Sequence, residues 1–180
     1  MYNGIIDLQK GMTRMLCDSY MLDSQALALT GYSDDLGNRS MILTMHGTYI
    51  SRQAPVELLK QACLAGGSAK TARKREAAAI LKSRQKLPFI LTDGIGVFPT
   101  SSSRHSTCVW VFNHFFTPSF LEKKKTVLTF SSGLSIEAPA SIHTIHQQAG
   151  RLHMLLLRAE EERLEANLRR LPHPPGRFLR

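Results

Sequence analysis

The sequence predicts an α+β fold: a mostly antiparallel sheet, two central helices and a long C-terminal helix. Three observations carry this. Short β-type apolar runs flank two helical stretches in the middle of the chain. Turn signals such as Asp93-Gly94 and Ser131-Ser132-Gly133 join neighbouring runs closely enough for antiparallel hairpins. After Pro139, apolar residues recur at helical spacing toward Arg169.

Taken in order, residues 1–22 show weak periodicity and are expected to be a weakly structured N-terminal segment. Residues 23–171 are expected to form the single α+β domain, and 172–180 a flexible tail. Residues 25–30 read as a strand, and 31–40, rich in Asp, Gly and Asn, as a loop. Residues 41–45 and 48–50 flank His46-Gly47 as a hairpin. Pro55 suits a first helical turn, Val56, Leu59, Ala62 and Cys63 follow at helical spacing, and Gly66-Gly67 supplies a stop. Ser68 is the expected N-cap of a second helix running to about Arg84, rich in alanine and ended by Pro88. Strands follow at 89–92, 95–98, 108–113, 127–130 and 134–137. Ser141 opens a third helix whose face is marked by Ile142, Ile145, Ala149, Leu152, Leu156 and Ala159, with Pro172, Pro174 and Pro175 as its end. Leu152, Leu155 and Leu156 are expected to cover the sheet rather than pair with a second copy.

The formal net charge is +9 and the pI about 9.8, an excess that concerns partners rather than fold. It is concentrated: residues 51–90 hold nine basic and two acidic residues, whereas residues 1–50 hold three basic and five acidic. A local surplus points to a face for a polyanion, with nucleic acid the first choice and anionic membrane or ribosome the others. No apolar run approaches the ~20 residues of a membrane span, and the N-terminus lacks a signal-peptide layout. A cytoplasmic, nucleoid-associated protein with no membrane partner is expected. Cys17, Cys63 and Cys108 form no CxxC pair and read as reduced thiols.

Four features bear on chemistry. The predicted second helix carries Lys70, Arg73, Lys74, Arg75, Lys82, Arg84 and Lys86 against a single acid, Glu76. Helical spacing puts Lys70, Arg73, Lys74 and Arg84 on one face, with Ala77 in its middle where a phosphate would approach the backbone. Arg75, Lys82 and Lys86 form a second stripe. A solvated charged face is the ordinary alternative. Next, the loop Ser101, Ser102, Ser103, Arg104 and His105 offers hydroxyls, a guanidinium and an imidazole suited to phosphate oxygens and a narrow minor groove. His105, Cys108 and His114 are too few and too widely spaced for a structural zinc site. Cys108, Trp110 and Phe112 alternate onto one strand face, which favours a buried, inert thiol. Finally, Lys123, Lys124 and Lys125 after Pro118 read as a lysine-bearing loop. No P-loop, dinucleotide, zincin or nucleophile-elbow motif is present. The chain is expected to be no enzyme and to need no cofactor or metal.

The stretch from Gly94 to His114, with Phe98-Pro99-Thr100, Ser102 to Arg104, Cys108, Trp110 and His114, resembles the signature region of the ComK family of competence transcription factors. Ala54 to Cys63 with Gly67-Ser68 upstream, and Val127 to Gly133 with Glu137, Pro139, Ser141 and Gln147 downstream, agree with it. The resemblance spans about 41–157 and leaves the N-terminal segment and the tail at 171–180 unmatched. It implies a transcription activator that binds paired A/T-rich boxes in double-stranded promoter DNA through the minor groove, assembles as a homo-oligomer there, and is turned over through a protease adaptor. The A·T minor groove is narrow and negative and attracts Arg, which fits Arg104 and the basic helix. Two other classes compete. An RNA-binding or ribosome-associated protein would expose aromatics such as Phe115, Phe116 or Phe120 for base stacking, and a Cys–His hydrolase would use Cys108.

Overall fold

A computed structural model of the chain describes residues 14–18, 20–35 and 37–170. Seven strands form one sheet: β1 (Arg14–Cys17), β2 (Ala26–Asp34), β3 (Gly37–Thr44), β4 (Gly47–Ser51), β5 (Phe89–Thr92), β6 (Ile95–Pro99) and β7 (Val109–Phe112). Their order is β1-β4-β3-β2-β7-β6-β5. Every pairing is antiparallel except β1 with β4. A second, antiparallel sheet is ordered β10-β9-β8, from β8 (Phe116–Glu122), β9 (Lys125–Phe130) and β10 (Ser135–Ala138). The helices are α1 (Pro55–Ala65), α2 (Lys70–Leu81) and α3 (Ile142–Arg170). The predicted α+β class, with its mostly antiparallel sheet and long C-terminal helix, is what forms.

Alternation along β7 divides the core. Val109 and Val111 face one side; Trp110 and Phe112 face the other with Cys108. All four residues of β7 are buried, which explains why this central strand is uninterruptedly apolar. On the first side lie the small sheet and the first half of α3, with Leu128, Phe130, Ile145 and Leu152. On the other lies α1, whose Leu58, Leu59, Ala62 and Cys63 are buried. Each leucine side chain removed from water stabilises the fold by about 1.5–3 kcal/mol. The edge-to-face contact of Phe89 with Trp110, centroids 5.7 Å apart, adds roughly 1 kcal/mol.

Turn chemistry sets the register. Asp93 and Gly94 lie between the paired Thr92 and Ile95, and Gly94 takes φ +72, which a side chain would resist. The β3–β4 turn is Met45-His46, one residue earlier than expected, because Gly47 already pairs with Thr44. The Thr44 hydroxyl donates to the Gly47 carbonyl across it, at 2.9 Å.

Three expectations need correction. Residues 31–40 are not a loop: β2 and β3 continue there as a hairpin from Gly31 opposite Ser40 to Asp34 opposite Gly37. Their turn-like composition is tolerated because the two arms satisfy each other's backbone groups. The lysine-bearing loop expected after Pro118 is narrower than that: only Lys123 and Lys124 form the β8–β9 turn, Lys125 opens β9, and Pro118 sits inside β8, an edge strand where its missing N–H costs nothing. The segment 1–22 contributes β1; residues 1–13, like the tail from 171 with its prolines, lie outside the described residues.

Candidate nucleic-acid interface

α2 is shorter than its sequence pattern and turned differently. Ala69, not Ser68, occupies the N-cap, and no side chain caps the helix. It stops at Leu81, because Lys82 takes the left-handed conformation (φ 48) while its N–H still bonds to the Ala78 carbonyl. Arg84 and Lys86 therefore do not lie on the helix, and the predicted face of Lys70, Arg73, Lys74 and Arg84 does not form as one surface. Ala77, expected to face a phosphate, is buried against the protein.

The charges flanking Ala77 turn inward with it. Lys70 Nζ lies 5.9 Å from the ring centre of Trp110, and Lys74 Nζ 5.9 Å from that of Phe89. Their aliphatic stems supply apolar cover for a helix that buries only Ala77, and the ring faces attract the ammonium groups. Burial, reinforced by the Lys74 charge, pushes the Lys70 amine down to about 8. Arg73 donates from Nη2 to the Gly66 carbonyl at 3.1 Å and keeps Nη1 3.9 Å from Glu76.

The rest of the surplus turns outward. Arg75, Lys82, Arg84 and Lys86 are exposed, and none has a carboxylate partner among the described residues. Arg52 and Lys60, by contrast, are paired with Asp18 and Glu57.

The β6–β7 connection holds the hydroxyl-rich loop. It folds on itself: the His105 N–H donates to the Ser102 carbonyl at 3.0 Å, and the Cys108 N–H to the His105 carbonyl at 3.0 Å. The Arg104 N–H reaches Ser102 Oγ at 3.4 Å. Ser103, Arg104 and His105 are exposed, Ser101 and Ser102 only partly, and Ser101 Oγ is buried. Behind the loop, a Cβ on Gly31 would stand 2.6 Å from the Ser106 carbonyl oxygen, so glycine alone admits this approach.

One residue unmarked in the sequence analysis ties these parts together. Gln148 of α3, 1% exposed, donates from Nε2 to the Lys86 carbonyl at 2.7 Å and the Pro99 carbonyl at 3.0 Å. Arg151 donates to Gln148 Oε1 at 2.7 Å and to the Gln85 carbonyl at 3.3 Å. The basic connection between α2 and β5 is thus fastened beside the root of the Arg104 loop. Gln148 lies at Pro99 and Leu152 lies against Gly96, so α3 runs antiparallel to β6. Its N-terminus, where Ser141 Oγ accepts the Thr144 N–H, lies toward the loop end of the sheet. The spacing carried a usable signal: Gln148 falls three residues after Ile145 and four before Leu152, inside the apolar stripe.

Cys108 is buried, its thiol bonds to the Ser101 carbonyl at 3.6 Å, and burial pushes it up. A protonated, enclosed thiol is the opposite of what a nucleophile requires. Among the described residues, no three His, Cys, Asp or Glu side chains converge as a metal site, and no helix is long and apolar enough to cross a membrane. At the β8–β9 hairpin end, Lys125 is paired with Glu122 and Glu137, while Lys123 and Lys124 are exposed and without a carboxylate partner among the described residues.

A family model described as ComK protein matches residues 17–163. Neither a curated protein nor a solved structure matches the chain.

Proposed function

The chain belongs to the ComK family, and from that premise we propose that it is a competence transcription activator that binds A/T-rich promoter boxes through the minor groove and the backbone phosphates. The observation that carries the reading is the joint made by Gln148, which ties the Lys86 carbonyl, at the end of the exposed basic connection, to the Pro99 carbonyl at the root of the Arg104 loop. Lys82, Arg84, Lys86 and Arg75 hold phosphates. Arg104 enters the groove, and Ser102, Ser103 and His105 bond to sugar–phosphate oxygens near it. Lys70, Arg73 and Lys74, half-buried, contribute positive potential from behind. The protein acts in the cytoplasm at the nucleoid, assembles as more than one copy on paired boxes, and is removed through a protease adaptor, as the family resemblance implies.

Binding to A/T-box and G/C duplexes across a salt series tests this. With five to eight phosphates neutralised, log affinity falls against log salt with a slope of roughly −5 to −7. Arg104→Ala reduces the A/T preference, whereas Arg84→Ala weakens both duplexes alike. A slope near zero overturns the phosphate reading, and equal effects of the two variants overturn the division of roles.

One observation favours a second reading, RNA binding: Phe115 and Phe120 are 78% and 73% exposed, as base-stacking aromatics would be. Single-stranded RNA that displaces the A/T duplex at equal concentration decides for it.

A further inference from the structure

The β8–β9 hairpin has an end that the interface above does not use. Phe116, Pro118 and Phe120 lie opposite Phe130, Leu128 and Thr126 in the ladder and share a face with them. Phe116 packs on Phe98 and Phe130, centroids 6.3 and 6.2 Å away, and Pro118 is half-buried. Phe120 is on the same face yet 73% exposed: β8 has run past the body that covers its first half. At Leu121 the register slips, so the strand bulges and a second large apolar side chain turns outward. The turn beyond it carries Lys123 and Lys124, the latter with φ +66. Both carboxylates nearby, Glu122 and Glu137, are engaged by Lys125, so the outward charge of the tip is positive.

The position of this end agrees with its chemistry. Thr126, the first residue past the tip lysines, donates its hydroxyl to the Ala140 carbonyl at 2.7 Å, just before α3 begins. The hairpin end therefore lies toward the same end of the large sheet as the Arg104 loop.

We propose that this hairpin end is a second DNA-contacting element, in which Phe120 and Leu121 press as a wedge between base pairs while Lys123 and Lys124 hold the flanking phosphates. An apolar wedge beside cations fits a duplex, because unstacking a base step exposes apolar ring faces between two negative strands. The absence of an unpaired acid on the outward tip favours this polyanion over a basic protein surface. The proposal rests on the reading of the chain as a duplex-DNA binder and adds a site and a deformation to it.

The test uses the full chain and an A/T-box duplex with 2-aminopurine inside the box, whose fluorescence rises on unstacking. The native protein is expected to brighten the probe. Phe120→Ala with Leu121→Ala is expected to bind about tenfold more weakly, without brightening and with an unchanged salt slope. Lys123→Ala with Lys124→Ala is expected to keep the brightening and to lose roughly two units of slope. These side chains are exposed, so both variants keep the native melting temperature. Native brightness and affinity in the aromatic variant overturn the wedge, and an unchanged slope in the lysine variant overturns the phosphate role. An aromatic variant that binds and brightens normally but no longer activates a purified transcription reaction assigns the surface to a protein partner and also overturns the proposal. Failure of the native protein to bind the duplex would be seen in the same titration and would remove the DNA reading itself.

Discussion

The two halves of one basic stretch behave in opposite ways. From Lys70 to Ala77 the chain is a helix laid on the sheet, and three of its four cations lie over Trp110 and Phe89 or reach the Gly66 carbonyl, while Arg75 alone faces solvent. From Lys82 to Lys86 it has left the helix, its cations are exposed, and its end is tied through Gln148 to Pro99 at the root of the Arg104 loop. Composition does not separate the halves; backbone conformation does. The left-handed turn at Lys82 ends the helix before Arg84 and Lys86 can be drawn onto the protein. A run of lysines and arginines is therefore a charge supply, and the fold decides which part becomes surface.

The largest effect that would sharpen this contrast is at Gln148. Gln148→Leu takes the donor from the buried Pro99 carbonyl and leaves the Lys86 carbonyl with only a long contact from Arg151, and should lower unfolding free energy by about 2–4 kcal/mol in urea titration. Arg151→Ala removes only the brace and should cost about 1 kcal/mol, while weakening duplex binding more than that loss explains. An Arg151→Ala protein with native affinity would show that fastening the 82–86 connection is irrelevant to binding. Gly31→Ala comes next. The added methyl meets backbone rather than a flexible side chain, so the loop must shift. A loss of about 1–3 kcal/mol, with reduced A/T preference in the same competition assay, is expected.

The smallest effect lies on the inward half and depends on pH. The Lys70 amine stands near 8 in the folded protein, below its ordinary 10.5, because of burial and the Lys74 charge. The folded state thus resists a proton that the unfolded chain keeps. Its penalty is full below pH 8 and is relieved as pH rises from about 8 toward 10.5, so this group makes the native protein more stable over that window. Lys70→Met should melt slightly higher at pH 7 and lack that rise. A variant whose melting temperature follows the native pH profile would show that another group is responsible.

Much of the fold was legible because it is written locally. Asp93-Gly94 and Ser131-Ser132-Gly133 mark tight turns, and the stripe from Ile145 to Leu156 marks α3. What was missed depends on distant partners. Pro118 suggests a break, yet an edge strand has a side that needs no donor. Residues 31–40 carry loop chemistry, yet the hairpin arms pair with each other. For the interface, the Arg104 loop and the basic run were visible as composition. The inward turn of Lys70 and Lys74 was not, because the rings that receive them belong to β7 and β5. Gln148 was legible only as a polar residue at an apolar position.

The central claim is that the exposed Lys82, Arg84 and Lys86 meet the phosphates and the inward-turned Lys70 and Lys74 do not. Its most direct test is the salt dependence of A/T-duplex affinity for two variants measured side by side: Lys82→Ala, Arg84→Ala, Lys86→Ala in one, and Lys70→Met, Lys74→Met in the other. The first should lose roughly two to three units of slope and the second less than about one. The reverse order, or equal losses, would contradict the account.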